Sequence, residues 1–204
     1  MLQRSPEWFK AREGRFTASR ISEILGVKGM GKTGEGYCLE KAIEIVYGID
    51  QEEGFVSYDM MRGIELEPVA FEMFQEKKAL DFIDVDIATF FPYGEDAGAS
   101  PDGLVGNESI LEIKCPRPTK LINLIINGES KIDKTYLDQM QFQMLCTNSK
   151  SCFFVNYSEY NGDVLYYECE LKRDEKRIEF IKERLDEAIS IRNEYIEVLN
   201  GKHK

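Results

Sequence analysis

The segment SPDGLVGNESILEIKCP, residues 100–116, constrains the fold more than any other stretch of the chain. It puts Pro101-Asp102 in turn chemistry, then sets Leu104–Val105 and Ser109–Cys115 on either side of Gly106-Asn107, a hairpin signal. In the strand ILEIKC, Ile110, Glu112 and Lys114 share one face, while Leu111, Ile113 and Cys115 share the other. Two charged side chains on one face of an apolar strand are costly unless they are paired or hold a metal. An Asp and a Glu meeting across a hairpin offer hard oxygen ligands for Mg²⁺. A Lys one step beyond can bind or activate a water, or stabilise charge on a phosphate. The plainer reading is a Glu112–Lys114 ion pair on an exposed sheet face. E-x-K recurs elsewhere, as at Glu76-Lys77-Lys78 and Glu129-Ser130-Lys131 in contexts that read as solvated, whereas Pro-Asp occurs once.

Around this segment the hydrophobic period changes twice. Thr17 or Ser19 can cap a short helix through Ile21, Ile24 and Leu25. A glycine-rich loop, residues 26–36, precedes a helix over Tyr37–Val46 that Gly48 stops. Residues 60–79 read as a longer helix, with Pro68 in its first turn or kinking it. Val85, Ile87, Thr89 and Phe91 then alternate as one half-buried strand. Helices are expected at 119–127 and 135–147, and strands at 151–158 and 164–171 joined through Asn161-Gly162. A final helix over 174–199 carries Ile178, Ile181, Leu185, Ala188 and Ile189 on one apolar face. This order predicts an α/β fold, a central mixed β-sheet flanked by helices, in a single domain over residues 1–204. Within it lie an N-terminal basic region (1–50), a core that bears the chemistry (60–171) and the C-terminal helix.

Composition removes several chemistries. The single histidine, His203, lies in the tail GKHK, which excludes Ser-His-Asp and Cys-His triads and His-ligated zinc. Five cysteines, an odd number without a CxxC pair, argue against zinc ribbons and disulfide frameworks and for free thiols in a reducing cytoplasm. No apolar run is long enough to span a bilayer, and MLQRSPEWFKAREGRF has no secretory core, so a cytoplasmic protein with no membrane partner is expected. The net charge of −11 disfavours nucleic acid on average, but residues 1–34 carry seven basic side chains against Glu7, Glu13 and Glu23. A local basic surface, or an acidic site holding a divalent cation, still allows contact with phosphates.

Two more segments bear on the site. In RGIELE, Gly63 stands one helical turn from Glu67, which otherwise reads as solvated. In YLDQMQFQM, Tyr136, Gln139 and Gln143 share a helix face, as satisfied amides at a core edge or as groups that position water. With these in hand the sequence resembles the phage lambda-type exonucleases, the YqaJ-like viral recombinase family within the PD-(D/E)xK nuclease fold. The matching stretches are SPEWFKAREGRFTAS (5–19), RGIELEP (62–68), SPDGL (100–104), LEIKCP (111–116) and YLDQMQFQM (136–144), in the family's order.

The resemblance implies a Mg²⁺-dependent 5′→3′ exonuclease on double-stranded DNA ends, encoded by a phage or prophage, with Mn²⁺ as a substitute. By that likeness Asp102, Glu112 and the Ile113 carbonyl hold metal, and Glu67 supports a metal directly or through water. Lys114 helps activate the attacking water and Gln139 orients it. Two ions roughly 4 Å apart serve the attacking and leaving oxygens. Arg12, Thr17 and Ser19 match positions of a 5′-phosphate pocket, with Ser100 beside the metal site. The likeness also implies a homotrimeric ring around DNA and a single-strand annealing protein as partner.

Residues 26–33, GVKGMGKT, formally match the phosphate-cradling G-x-x-x-x-G-K-[ST] loop. That loop follows a buried strand, and ISEIL before it reads as helix. The alternative is a glycine loop whose Lys28 and Lys32 touch DNA backbone. Another PD-(D/E)xK nuclease, endonucleolytic or acting on single strands, remains an alternative function for the same site.

Overall fold

The two-residue and 3.6-residue periods sort the chain into strands and helices much as expected. A computed structural model describes residues 4–27, 29–48, 57–81 and 83–201. Ser5 caps helix α1 (Pro6–Arg12), accepting from the Trp8 N–H at 3.2 Å. A two-residue strand, β1 (Phe16–Thr17), leads into a short 3-10 helix over Ala18–Ile24. Thr17 stands at its N-terminus, but its side chain makes no cap bond. Helix α2 runs over Gly31–Tyr47, so the expected glycine loop is largely its first turns. Gly34 is required there: a Cβ would stand 1.9 Å from Met30 and 2.9 Å from the Glu23 carbonyl oxygen.

Helix α3 (Tyr58–Ala79) starts earlier than expected, behind a Ser57 cap, which puts Pro68 well inside it rather than in its first turn. The alternating run at 85–91 is not one strand. It splits into β2 (Val85–Ile87) and β3 (Phe91–Tyr93), which belong to different sheets. Periodicity reports which face is buried, not which neighbour a strand pairs with, so this break was invisible. Then follow β4 (Ala97–Ala99), β5 (Gly103–Val105), β6 (Ser109–Lys114), α4 (Pro118–Asn127), α5 (Lys134–Thr147), β7 (Ser151–Tyr160), β8 (Asp163–Lys172) and α6 (Glu175–Gly201). The β7–β8 turn has Asn161 at φ 53° and Gly162 at φ 90°, the two positive values that a tight hairpin turn of this hand demands.

Among the described residues the larger sheet has the order β2-β5-β6-β7-β8, and the smaller β1-β4-β3. Both are mixed: β6 runs parallel to β7, and β1 parallel to β4, while the other pairs are antiparallel. The parallel pair requires a crossover, which α4 and α5 provide. One face of the large sheet packs Leu111, Ile113 and Val155 against Ala70 and Phe74 of α3. The other packs Ile110, Cys152 and Phe154 against Leu121 and Leu124 of α4 and Met140 and Met144 of α5. A third cluster joins α2, the 3-10 helix, the small sheet and α6, and takes Phe142 from the far side of α5.

Helix α5 therefore lies between two cores, and every residue from Asp138 to Met144 is buried. Its polar side chains need partners there. Asp138 pairs with Arg177 of α6, and the Gln141 amide bridges the Lys172 carbonyl and the Asp174 N–H. Arg192 of α6, 5% exposed, similarly bonds Asp96 and the Gly14 carbonyl, closing the third cluster over the small sheet.

Leu111 is fully buried beneath the strand that carries Glu112. Leu111→Ala is expected to cost about 2–5 kcal/mol of stability. Urea unfolding followed by circular dichroism measures it, and a loss under about 1 kcal/mol would remove Leu111 from the core that supports β6.

Candidate active site

The carboxylates of the expected set arrive on different elements. Asp102 stands just before β5. Its N–H donates to the Leu111 carbonyl at 2.9 Å, and its Oδ2 accepts from the Ile113 N–H at 2.7 Å. The side chain thus extends the β5–β6 ladder and is held beside Glu112. Glu112, at the middle of β6, is only 2% exposed. Its Oε1 accepts from Lys114 Nζ and, at 2.6 Å, from Gln139 Nε2; its Oε2 accepts from Gln143 Nε2 at 2.6 Å. The Glu112–Lys114 ion pair exists, but on a buried face, so the reading of a plain exposed pair is corrected.

Glu67 reaches the same place from α3. With Gly63 it lines a cleft of about 650 Å³, whose walls include Ile113, Lys114, Cys115 and Tyr136. A Cβ at Gly63 would meet no atom within 4 Å, so the glycine keeps the cleft open rather than relieving a protein contact. Arg4 stands 3.5 Å from Glu67. The Lys114 ammonium lies 5.1 Å from the centre of the Tyr136 ring.

The electrostatics are those of crowded acids. Burial, then Glu112 and Glu67, hold the Asp102 carboxyl well above its usual range. Burial raises Glu67 too; Arg4 opposes it and Glu112 adds to it. Burial alone would lower the Lys114 ammonium, but Glu112 and Asp102 overcome it and raise it. Cys115 is not a nucleophile here: burial, then Glu67, push its thiol up to about 12.

Three carboxylates facing one Lys form a site whose excess negative charge a divalent cation would relieve. Among the described residues no three His, Cys, Asp or Glu side chains form a ready-made metal cage. Mg²⁺ does not need one, because it takes one or two carboxylates and keeps several waters. Asp102 and Glu112, with the Ile113 backbone oxygen between them and Lys114, fit that preference.

Tyr37 links two of the residues matched to end recognition, lying within electrostatic reach of Arg12 and bonded to Thr17. The Arg12 guanidinium lies over the Trp8 ring at 4.0 Å, and Trp8 Nε1 donates to Ser100 Oγ at 2.9 Å. Ser100 is two residues from Asp102, so Arg12 and Ser100 are brought to the site through Trp8, the anchor of α1. Thr17 is buried instead, its N–H donating to Tyr37 Oη at 2.9 Å and its hydroxyl 3.3 Å from the same oxygen. Ser19 is exposed on the 3-10 helix, and Lys32 is exposed in the first turn of α2. Lys28 lies outside the described residues. The segment before the glycine-rich stretch is a 3-10 helix and not a strand, so the phosphate-loop reading lacks its structural context.

Gln143 went unassigned among the candidate residues, although its spacing from Gln139 carried the signal: i and i+4 amides on one face of a buried helix must share a polar target.

A model of the YqaJ-like viral recombinase domain matches residues 7–150. Among solved structures, the alkaline exonuclease LHK-Exo from Laribacter hongkongensis is 31% identical, with 98% of each chain covered and a TM-score of 0.86. The complex of that enzyme with dAMP matches equally well. A phage-related exonuclease from Haemophilus somnus 129PT, 18% identical over 93% of this chain and 96% of its own, gives 0.70 and shows the shared fold. The architecture is thus the PD-(D/E)xK fold. No curated protein matches the chain. Among the described residues no helix is long and apolar enough to cross a membrane.

The crowding of charge makes a prediction. In EDTA, Asp102→Asn is expected to raise the melting temperature by a few degrees, because it removes one of three facing negative charges while still accepting from the Ile113 N–H. Differential scanning fluorimetry reads this directly. A drop would mean that the Asp102 charge is not a burden on the fold.

Proposed function

The chain belongs to the YqaJ-like viral recombinase family, and on that premise we propose that it is a Mg²⁺-dependent 5′→3′ exonuclease. It removes nucleotides from one strand of linear double-stranded DNA and leaves 3′ single strands for recombination by annealing. The observation that carries this reading is the convergence of Asp102, Glu112 and Lys114 beside a cleft that Lys114 lines and that Glu67 enters from α3.

Asp102, Glu112 and the Ile113 carbonyl are the proposed ligands, with Glu67 in support; two ions are expected, and Mn²⁺ can replace Mg²⁺. When bound, the metal supplies Lewis-acid activation of water and of the attacked phosphate. Lys114 holds a positive charge beside the reacting phosphate and stabilises the charge that develops there. Gln139 and Gln143 hold the Glu112 carboxylate in one orientation, so the ligand is set before DNA arrives. Gln139 also orients the attacking water. Arg12, stacked on Trp8, and Ser100 suit a terminal 5′-phosphate: a guanidinium and a hydroxyl next to the metal site. Thr17 supports that wall from within through Tyr37, while Ser19, Lys28 and Lys32 extend the basic surface toward the duplex.

The overall charge of −11 makes open, one-sided attraction to DNA weak. A homotrimeric ring that encloses the duplex, its basic N-terminal regions lining the path, answers that problem. A single-strand annealing protein is the proposed partner, taking the 3′ strand as it is exposed, in the cytoplasm of a bacterial host.

The test uses linear duplex bearing a 5′-phosphate and a label on one strand, with closed circular duplex and Lys114→Ala alongside. Mononucleotide release from the 5′ strand of the linear form alone is expected, reduced about 10²–10³-fold in the variant. Cutting of circles would remove the end-recognition role of Arg12 and Ser100. Absence of turnover with both Mg²⁺ and Mn²⁺ would overturn the enzymatic reading.

A further inference from the structure

Helix α3 is unevenly held. Its only buried side chains are Ala70 and Phe74, in its second half, where Lys77 and Lys78 also both reach Glu168 of β8 at 2.7 Å. Its first half bears Met60, Met61 and Ile64, all exposed. Glu67 lies between the halves, and its ion partner Arg4 comes from outside the sheet. Near Glu67 the packing comes down to the half-buried Leu66, and the first turn adds the exposed Asp59–Arg117 ion pair.

Arg62 supplies the most buried polar tie between this half of α3 and the sheet. Its Nη1 donates to the Cys115 carbonyl at 2.8 Å and to the Pro116 carbonyl at 2.7 Å, and its Nη2 donates to Ser158 Oγ at 2.5 Å. The two carbonyls immediately follow Lys114, where the chain has left β6 and lost its ladder partners. Ser158 belongs to β7, on the same strand face as Asn156, which pairs in register with Lys114. One planar guanidinium thus fastens α3 to the end of β6 and to β7. A Lys has three donors but on a single nitrogen, so it cannot reproduce contacts made from two separate nitrogens of a planar group.

We infer that Arg62 is a positioning residue: it fixes the separation between Glu67 on α3 and the Asp102–Glu112–Lys114 group on the sheet, and so sets affinity for the divalent cation. Arg62 is not part of the cleft lining, so it acts through Glu67 and the end of β6 rather than on substrate. The inference rests on the metal-dependent reading above.

The test measures Mn²⁺ binding to the DNA-free protein by electron paramagnetic resonance, beside the half-saturating Mg²⁺ concentration and the KM for DNA. Arg62→Lys is expected to weaken Mn²⁺ binding about tenfold or more, with a matching rise in the Mg²⁺ requirement and an unchanged KM at saturating metal. Ser158→Ala should shift both in the same direction by less. Added guanidinium ion should restore part of the affinity of Arg62→Ala, and methylammonium should not. Folded Arg62→Lys and Ser158→Ala proteins that lose melting temperature but keep wild-type Mn²⁺ affinity would reduce Arg62 to a structural tie. Failure of the wild type to bind Mn²⁺ would instead overturn the metal-dependent reading itself.

Discussion

The burial of the Glu112 carboxylate in the middle of an apolar strand is the constraint around which the molecule is arranged. An ionised carboxylate without donors is untenable at that depth. Three donors meet it, from Lys114 on its own strand and from Gln139 and Gln143 on α5. To deliver two amides to the sheet, α5 must lie flat against it. On its other side α5 carries Phe142, which must leave water as well. The third core cluster, built from α2, the 3-10 helix and α6, supplies the cover. The strand that buries Glu112 thus dictates a buried helix, and the buried helix dictates a second layer.

The same arrangement explains why conflicting charges are tolerated. Asp102 and Glu67 add negative charge beside Glu112, and Lys114 answers only part of it. A domain selected only for stability would replace these groups with apolar ones of similar shape. Their juxtaposition, with Gln side chains that fix the Glu112 carboxylate, leaves an excess of negative charge that a divalent cation would relieve.

Much of this was legible in the sequence because it rests on local patterns. The period of two in ILEIKC assigned Glu112 and Lys114 to one face, and Gly106-Asn107 and Asn161-Gly162 marked two turns. What was illegible depends on partners far along the chain. Strands β2 and β3 read as one because alternation says nothing about sheet membership. Strand β1 has two residues, too few to have a period. The Trp8–Ser100 bond spans 92 positions. Arg62 opens the stretch RGIELEP, but it binds backbone carbonyls, and a carbonyl carries no residue identity, so the sequence does not show what it holds.

The parallel pairing of β6 with β7 has a consequence in time. Asp102, Glu112 and Lys114 are all in place along the chain before β7 begins at Ser151, yet β6 gains its second neighbour only through a crossover of some length. Such long-range pairing forms late. A nascent polypeptide that has emerged only to α4 carries the acids and the lysine without the sheet or the amides that order them. Any chemistry that needs these groups together waits for the last steps of folding.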